Sequence, residues 1–249
     1  MNPLAVSLGS WEALLSLLFP DVCQLCGGGR ATAVEGYVCG RCVSGAGNVR
    51  WIRPPFCSRC GIPFDGEIST EFVCGNCLGL DLAFGWARAS VVATPFLLDV
   101  IHRYKYGRRL YFGPFLAGLL ARAAAPVLAG GGWDGLVPVP LHPARERERE
   151  FNQAERLGRS LGAVAGIPLE AGLVRRIGAT RVQASLDRRE RVRNVSGAFQ
   201  VTDGARVAGR RWVVVDDVLT TGATTSAVAG ALRAAGAREV VVWTLARGT

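Results

Sequence analysis

A chain of 249 residues that is 49% hydrophobic has the length and composition for one substantial core plus a small module, which excludes a disordered or fibrous protein. Its net charge is +9, from 29 basic and 20 acidic residues, and Lys105 is the only lysine among the basic ones, a balance that favours phosphate-bearing partners, nucleotide-like or nucleic acid. The excess is uneven: six arginines face six carboxylates between Asp21 and Arg88, whereas seven arginines face only Asp187 and Glu190 between Arg175 and Arg193. No secretory signal is read at the N-terminus, which has no Lys or Arg before Arg30 and whose apolar residues are interrupted by Ser7, Ser10 and Glu12. No run is expected to reach the length of a membrane span, so a cytoplasmic protein is expected. Eight cysteines in that compartment argue for metal and against disulfides.

In chain order, residues 4–19 predict a short amphipathic helix with Leu4, Leu8, Trp11, Leu15 and Leu18 on one face. It is read as packing on the main domain, since a membrane-surface helix would want basic residues. Next come two four-cysteine sets: Cys23, Cys26, Cys39 and Cys42, then Cys57, Cys60, Cys74 and Cys77. Each is a zinc-ribbon spacing in which two C-x-x-C knuckles complete a tetrahedron, and closed four-cysteine sites are structural. Sequential pairing, one Zn2+ per ribbon and two in all, is favoured, and spacing leaves an interleaved pairing open. So small a module relies on metal for its folding free energy. Arg41, Arg50, Arg53 and Arg59 with Trp51 and Phe56 make a modest basic and aromatic patch, read either as scaffold or as a nucleic-acid contact.

Trp86–Val92 predicts the first strand of the main domain, and Pro95–Arg109 a helix stopped by Gly107, with Leu98, Ile101 and Lys105 at helical spacing. Tyr104, Tyr106 and Tyr111 cluster with His102, Arg103, Lys105, Arg108 and Arg109. This pattern suits a helix with inward rings and solvated charges, and somewhat less well single-stranded nucleic acid. Leu116–Ala129 predicts a second helix, Gly135–Pro140 a strand and its exit, Phe151–Val164 a helix and Leu173–Ile177 a short strand. Arg145, Arg147 and Arg149 alternate with Glu146, Glu148 and Glu150, which fits a solvated face as well as an anion contact. Residues 178–193 form a long arginine-rich stretch of the kind that serves as a lid, with an exposed charged hairpin as the alternative.

The densest signal is Arg211–Gly236. Trp212–Val215 reads as a buried strand; Asp216 and Asp217 follow at its end; Val218, Leu219, Thr220, Thr221, Gly222, Ala223, Thr224 and Thr225 lead into a helix stopped at Gly236. A loop rich in hydroxyls that enters a helix is an anion site, because free backbone N–H groups and the helix dipole face the ligand. The acid pair would reach sugar hydroxyls next to a phosphate seated on the loop. There is no P-loop to pair with a Walker B strand, and no G-x-G-x-x-G after a strand. Glu239–Leu245 predicts a last buried strand, reached by a βαβ crossover.

The run VVVDDVLTTGATT closely resembles the phosphoribosyl-pyrophosphate (PRPP) signature of type I phosphoribosyltransferases. With the two ribbons, the helix ending Lys105-Tyr106, the run VPVPLHPARERE-EFNQA and the stretch from Gln183 through Arg188, Arg189, Arg191 and Asn194, the chain is similar to the ComF family. The resemblance implies an α/β fold with an open, mainly parallel sheet flanked by helices. It implies a division into an N-terminal helix (1–20), a double ribbon (21–80) and a phosphoribosyltransferase-like domain (81–249). It further implies Asp216 and Asp217 on the ribose diol, Val218 to Thr224 on the 5′-phosphate, and PRPP held with Mg2+. Pro140, His142, Arg145 and Arg149 would meet pyrophosphate, under a lid carrying Arg188 and Arg191. Where the family has Gly before Phe-Asn-Gln, this chain has Glu150. The family's link to DNA uptake implies a second reading: an accessory protein that binds single-stranded DNA and works with DNA-uptake proteins. No pattern names an acceptor substrate. With Met1-Asn2 at the start and no N-terminal cysteine nucleophile, a complete glutamine-dependent amidotransferase reaction is not expected.

Overall fold

The computed structural model describes residues 21–178 and 197–248. The expected helix at 4–19 and most of the arginine-rich lid, with Arg188 and Arg191, lie outside the described residues.

The central sheet has four parallel strands: β1 (Ala87–Val92), β2 (Gly135–Pro138), β5 (Arg211–Leu219) and β6 (Glu239–Arg247), in the order β1-β6-β5-β2. Buried on both faces, β5 and β6 are near-continuous β-branched runs, as the strands of a parallel sheet must be. A small antiparallel pair, β3 (Val174–Arg176) and β4 (Phe199–Val201), stands apart. The helices are α1 (Gly40–Ser44), α2 (Pro95–Tyr106), α3 (Gly113–Leu128), α4 (Pro143–Arg149), α5 (Gln153–Ala165) and α6 (Ala223–Ala234). Each longer helix starts where its sequence allows. Thr94 caps α2, its hydroxyl accepting from Leu97 N at 3.2 Å, and Asn152 caps α5 through Ala154 N at 2.9 Å.

Two hydrophobic cores lie on opposite faces of the sheet. One holds Val213, Val215 and Trp243 with α2, α3 and α5; the other holds Trp212, Val214, α6 and the β3–β4 pair. The buried indoles are satisfied, as burial demands. Trp243 Nε1 donates to Ser90 Oγ at 3.2 Å, which donates to Leu120 O at 3.2 Å, and Trp212 Nε1 donates to Val207 O at 3.3 Å. Residues 110–128 do reach membrane-span length, with a mean hydropathy of 1.3, contrary to the expectation of no such run. The inner face of α3, with Leu116, Leu120 and Ala124, is buried in the first core, where α3 meets α5 and β1, which accounts for its apolarity.

Helices α5 and α6 leave β2 and β5 towards opposite faces. The gap between the carboxyl ends of these adjacent strands is therefore the crevice where open parallel sheets bind ligands. The cysteine module is docked on the same body. Residues 50–52 pair with the outer edge of β1, through Ile52 N to Ser90 O at 3.1 Å and Val92 N to Arg50 O at 2.8 Å, which covers an otherwise open edge. The buried stripe of α2 is Leu97, Val100, Ile101 and Tyr104; Leu98, expected on it, is 43% exposed.

Candidate functional site

β5 runs longer than its apolar core. Hydrogen-bonded pairing with β6 continues through Asp216 to Leu219, so both aspartates are strand residues and not the start of a loop. The consequence is steric: successive side chains on a strand point to opposite faces. Asp216 shares a side with Trp212 and Val214, Asp217 with Val213 and Val215. Only Asp216 joins Val218 to Thr225 around a small cavity of ≈ 40 Å3 at the sheet's carboxyl edge. Asp217 is buried on the other side in an ion pair with Lys105 Nζ, the side chains being 8% and 17% exposed. The expected pair of free carboxylates is thus one carboxylate at the cavity and one, buried, held by a half-buried lysine. Asp216 Oδ1 accepts from Asp217 N at 2.9 Å. Burial, reinforced by the neighbouring Asp217, pushes the Asp216 carboxyl well above the usual carboxylate range, with Lys105 pulling the other way.

The loop after β5 is built to leave donors free. Gly222 occupies the N-cap of α6 at φ 81°, a left-handed conformation costly for any residue with a Cβ, and supplies no side-chain cap. Thr221 Oγ1 accepts from Ala223 N at 3.3 Å, and Thr225 Oγ1 donates to Gly222 O at 3.1 Å. The first amides of α6 have no acceptor within their helix, and the macrodipole places partial positive charge there. Thr220 is exposed, while Thr221 and Thr224 are half-buried. A phosphate is the group such a cradle fits.

Across the crevice, Val139 N donates to Val215 O at 2.9 Å and brings Pro140 and His142 beside β5. His142 Nδ1 caps α4, accepting from Ala144 N at 3.2 Å. Asn152 has two jobs: while its oxygen caps α5, its Nδ2 donates to Val139 O at 3.1 Å and ties the helix to the exit of β2. Arg145 and Arg147 are exposed on α4. Arg149, expected at a leaving group, is instead buried. It donates to Gln153 Oε1 at 3.0 Å and to the Tyr106 hydroxyl at 2.6 Å, and stacks over the Tyr106 ring at 4.5 Å. Glu150 stands at φ 65° as the C-cap of α4, which explains why a glycine suits that position. Its carboxylate reaches Arg108 at 3.0 Å.

The aromatic clusters are also less open than their sequence suggests. Tyr104 and Lys105 face inward, leaving Tyr106, Arg108 and Arg109 at the surface. In the cysteine module, Trp51 lies under Arg122 at 4.9 Å and Phe56 under Arg88 at 4.5 Å, so neither ring is a free stacking platform.

The eight cysteines form two groups, Cys23, Cys26, Cys39 and Cys42 and Cys57, Cys60, Cys74 and Cys77, each with its sulfurs within 4.8 Å of one another; the pairing is sequential. The Cys23–Cys42, Cys26–Cys39 and Cys60–Cys74 sulfurs are each 3.7 Å apart. A tetrahedral zinc with bonds of about 2.3 Å requires about 3.8 Å between sulfurs, so both groups fit the ion. The ribbons repeat each other in detail. Cys39 N donates to Cys23 Sγ and Cys74 N to Cys57 Sγ, both at 3.3 Å; Gly27 and Gly61 turn the knuckles at φ 66° and 65°. Burial raises the Cys23 and Cys57 thiols, but backbone N–H donors outweigh it and bring them down to about 6 and about 7, which favours metal-ready thiolates.

The class is therefore a double zinc ribbon joined to a phosphoribosyltransferase-type domain. Residues 14–78 match the double zinc ribbon domain family and residues 163–249 the phosphoribosyl transferase domain family. The chain is 34% identical over 236 residues to DNA utilization protein YhgH of Salmonella typhimurium, covering 93% of this chain and 99% of the relative. It is 30% identical over 223 residues to Competence protein F of Haemophilus influenzae, covering 83% and 96%. The chain belongs to this ComF family. A glutamine phosphoribosylpyrophosphate amidotransferase from B. subtilis, 26% identical, overlaps 52% of this chain and 25% of its own at a TM-score of 0.34, too low to carry weight.

Sequence reasoning missed Lys105 as the partner of Asp217, though a lone lysine at helical spacing with Ile101 was a signal. It also missed Arg247, whose signal was a charge closing an otherwise apolar strand.

Proposed function

We propose that this protein binds PRPP with Mg2+ at the carboxyl end of β5 and acts at the ribose anomeric carbon, transferring or hydrolysing with release of pyrophosphate. The observation that carries this reading is the N-terminus of α6, whose N-cap Gly222, at φ 81°, has no side chain to cap it, beside Asp216. The amides of α6 with the Thr220, Thr221 and Thr224 hydroxyls would hold the 5′-phosphate. Asp216 would accept from the ribose diol, and its raised carboxyl pKa reflects a site that gains when a hydroxyl or cation arrives. Asp217 acts from behind, with Lys105 fixing its position. Mg2+, when bound, neutralises pyrophosphate; Asp216 is the carboxylate on the cavity side that would hold it. Pro140, His142 and the exposed Arg145 would face the leaving group. Displacement of this kind depends mainly on positioning and charge stabilisation. Ligand and paired thiols both suit a reducing cytoplasm.

The test is calorimetric titration with PRPP and Mg2+, followed by pyrophosphate release against a panel of nucleobases and amines. Binding that Asp216→Asn abolishes, with acceptor-dependent release, is expected. No binding at millimolar ligand would remove the reading.

A second reading is favoured by the +9 charge and by relatives named for DNA utilization and competence. Here the chain is an accessory that binds single-stranded DNA and DNA-uptake proteins, with PRPP as ligand or regulator. Affinity for a single strand should then fall steeply between about 50 and 200 mM salt. Absence of binding at low salt would leave only the enzyme.

A further inference from the structure

Arg247, the last residue of β6, is 1% exposed and forms no ion pair with any carboxylate among the described residues. Apart from a contact with its neighbour Gly248, its side-chain hydrogen bonds go to two places. On one side Nε donates to Cys60 O at 3.1 Å, and Nη2 faces Cys60 Sγ at 3.5 Å. On the other, Nη1 donates to Leu219 O and Thr220 O, each at 2.9 Å, and to Gly248 O. One planar fork thus spans from a ligand of the second four-cysteine group to the two carbonyls that open the loop after β5.

A buried guanidinium without a counter-ion is strongly disfavoured. Four thiolates around one Zn2+ leave a net double negative charge, and Cys60 Sγ is the anionic ligand that Arg247 reaches. The second metal centre therefore supplies the missing negative charge. In return the guanidinium donates to a ligating sulfur, the kind of outer contact that tunes metal affinity. Of the carbonyls to which Nη1 donates, Leu219 O also accepts from Gly248 N at 2.9 Å, whereas Thr220 O belongs to the peptide whose amide is Thr221 N, so the contact at Thr220 O fixes the first peptide of the loop that lines the cavity.

We propose that Arg247 is a positioning residue that couples the second zinc centre to the phosphate loop: the metal site holds the arginine, and the arginine holds the loop in the shape that accepts a phosphate. The first ribbon has no such contact with the loop among the described residues; its neighbouring Arg41 reaches only Gly28 O. The consequence for ligand affinity rests on the phosphoribosyl reading above, but the coupling does not.

The test uses the full zinc-loaded chain and two readouts that need no phosphoribosyl ligand: the rate of zinc release to a colorimetric chelator, and hydrogen exchange of peptides spanning residues 219–224. Arg247→Met is expected to release one of the two zinc ions roughly 10–100-fold faster and to expose the loop amides. Arg247→Lys keeps the charge but not the fork. It is expected to hold zinc at nearly the wild-type rate while the loop still loses protection, and it serves if the methionine variant does not fold. Cys77→Ser, which breaks the second centre, is expected to raise exchange in 219–224; Cys42→Ser, in the first, is expected to leave it unchanged. Wild-type zinc release in Arg247→Met, or wild-type loop protection in both Arg247→Lys and Cys77→Ser, would overturn the coupling. A wild-type protein that binds no PRPP would remove the proposed function and leave these two readouts to decide the coupling by themselves.

Discussion

Replacing Lys105 by methionine removes the half-buried cation that faces Asp217, keeps most of the side chain's volume, and strands a carboxylate that is 8% exposed. Breaking a buried pair from one side typically costs about 3–5 kcal/mol, because the remaining charge is left desolvated. In a chain of this size, 1 kcal/mol moves the melting midpoint by about 2–4 °C, so a fall on the order of 10 °C is expected. Asp217→Leu should cost a similar amount by stranding the ammonium. The double variant replaces both charges by apolar groups and should cost less than either single variant, so that the sum of the single effects exceeds the combined one by at least about 3 kcal/mol. The assay is urea unfolding of the zinc-saturated protein followed by tryptophan fluorescence, metal being held constant because it adds to apparent stability. Additivity within about 0.5 kcal/mol would refute the ion pair as the reason Asp217 is buried. The same result bears on kinetics: if Asp217 acts only through its placement by Lys105, Lys105→Met should impair PRPP binding nearly as much as Asp217→Asn.

Four further outcomes follow from single contacts. Asp216 has a raised pKa when folded and an ordinary one when unfolded, so the unfolded chain releases that proton first, and stability present below about pH 4 is lost as pH rises through the folded pKa. Asp216→Asn should therefore flatten the pH profile of the melting midpoint and raise the midpoint at neutral pH, while weakening diol and Mg2+ binding; an unchanged profile would count against burial as the cause. Gly222→Ala puts a side chain into a left-handed position and should cost about 1–2 kcal/mol in thermal unfolding, with a larger loss in PRPP affinity, although the added Cβ would sit at an ordinary 3.6 Å from Phe84. Asn152→Ala removes both the α5 cap and the tie to Val139 O, an expected loss of about 0.5–2 kcal/mol by chemical denaturation. Glu150→Gly should be stabilising by up to about 1 kcal/mol, since relief at φ 65° outweighs an exposed ion pair with Arg108 worth little; a clear destabilisation would mean that pair matters more than its exposure suggests.

The sequence by itself determined whatever depends on local pattern. The two knuckles of each ribbon need only their spacing and a glycine turn to be recognised, whereas the choice of sequential over interleaved pairing came from the structure. The strands flanking α6 and the loop entering it show in the run from Trp212 to Gly236, because apolar length, a threonine-rich turn and a glycine stop are all local signals. Tertiary structure alone decided which of two adjacent aspartates lines the cavity at the end of β5. Strand alternation sends them to opposite faces, and the sequence did not show that the strand continues through them. It also decided that Lys105, 112 positions away from Asp217, turns inward to pair with it, and that Arg149 is buried against Tyr106 and Gln153. Arg247 shows the reason most clearly. What a buried charge does depends on which groups long-range packing brings against it, here Cys60 on a ribbon 187 residues earlier and the carbonyls of a loop 28 residues before it, and no local pattern encodes that meeting.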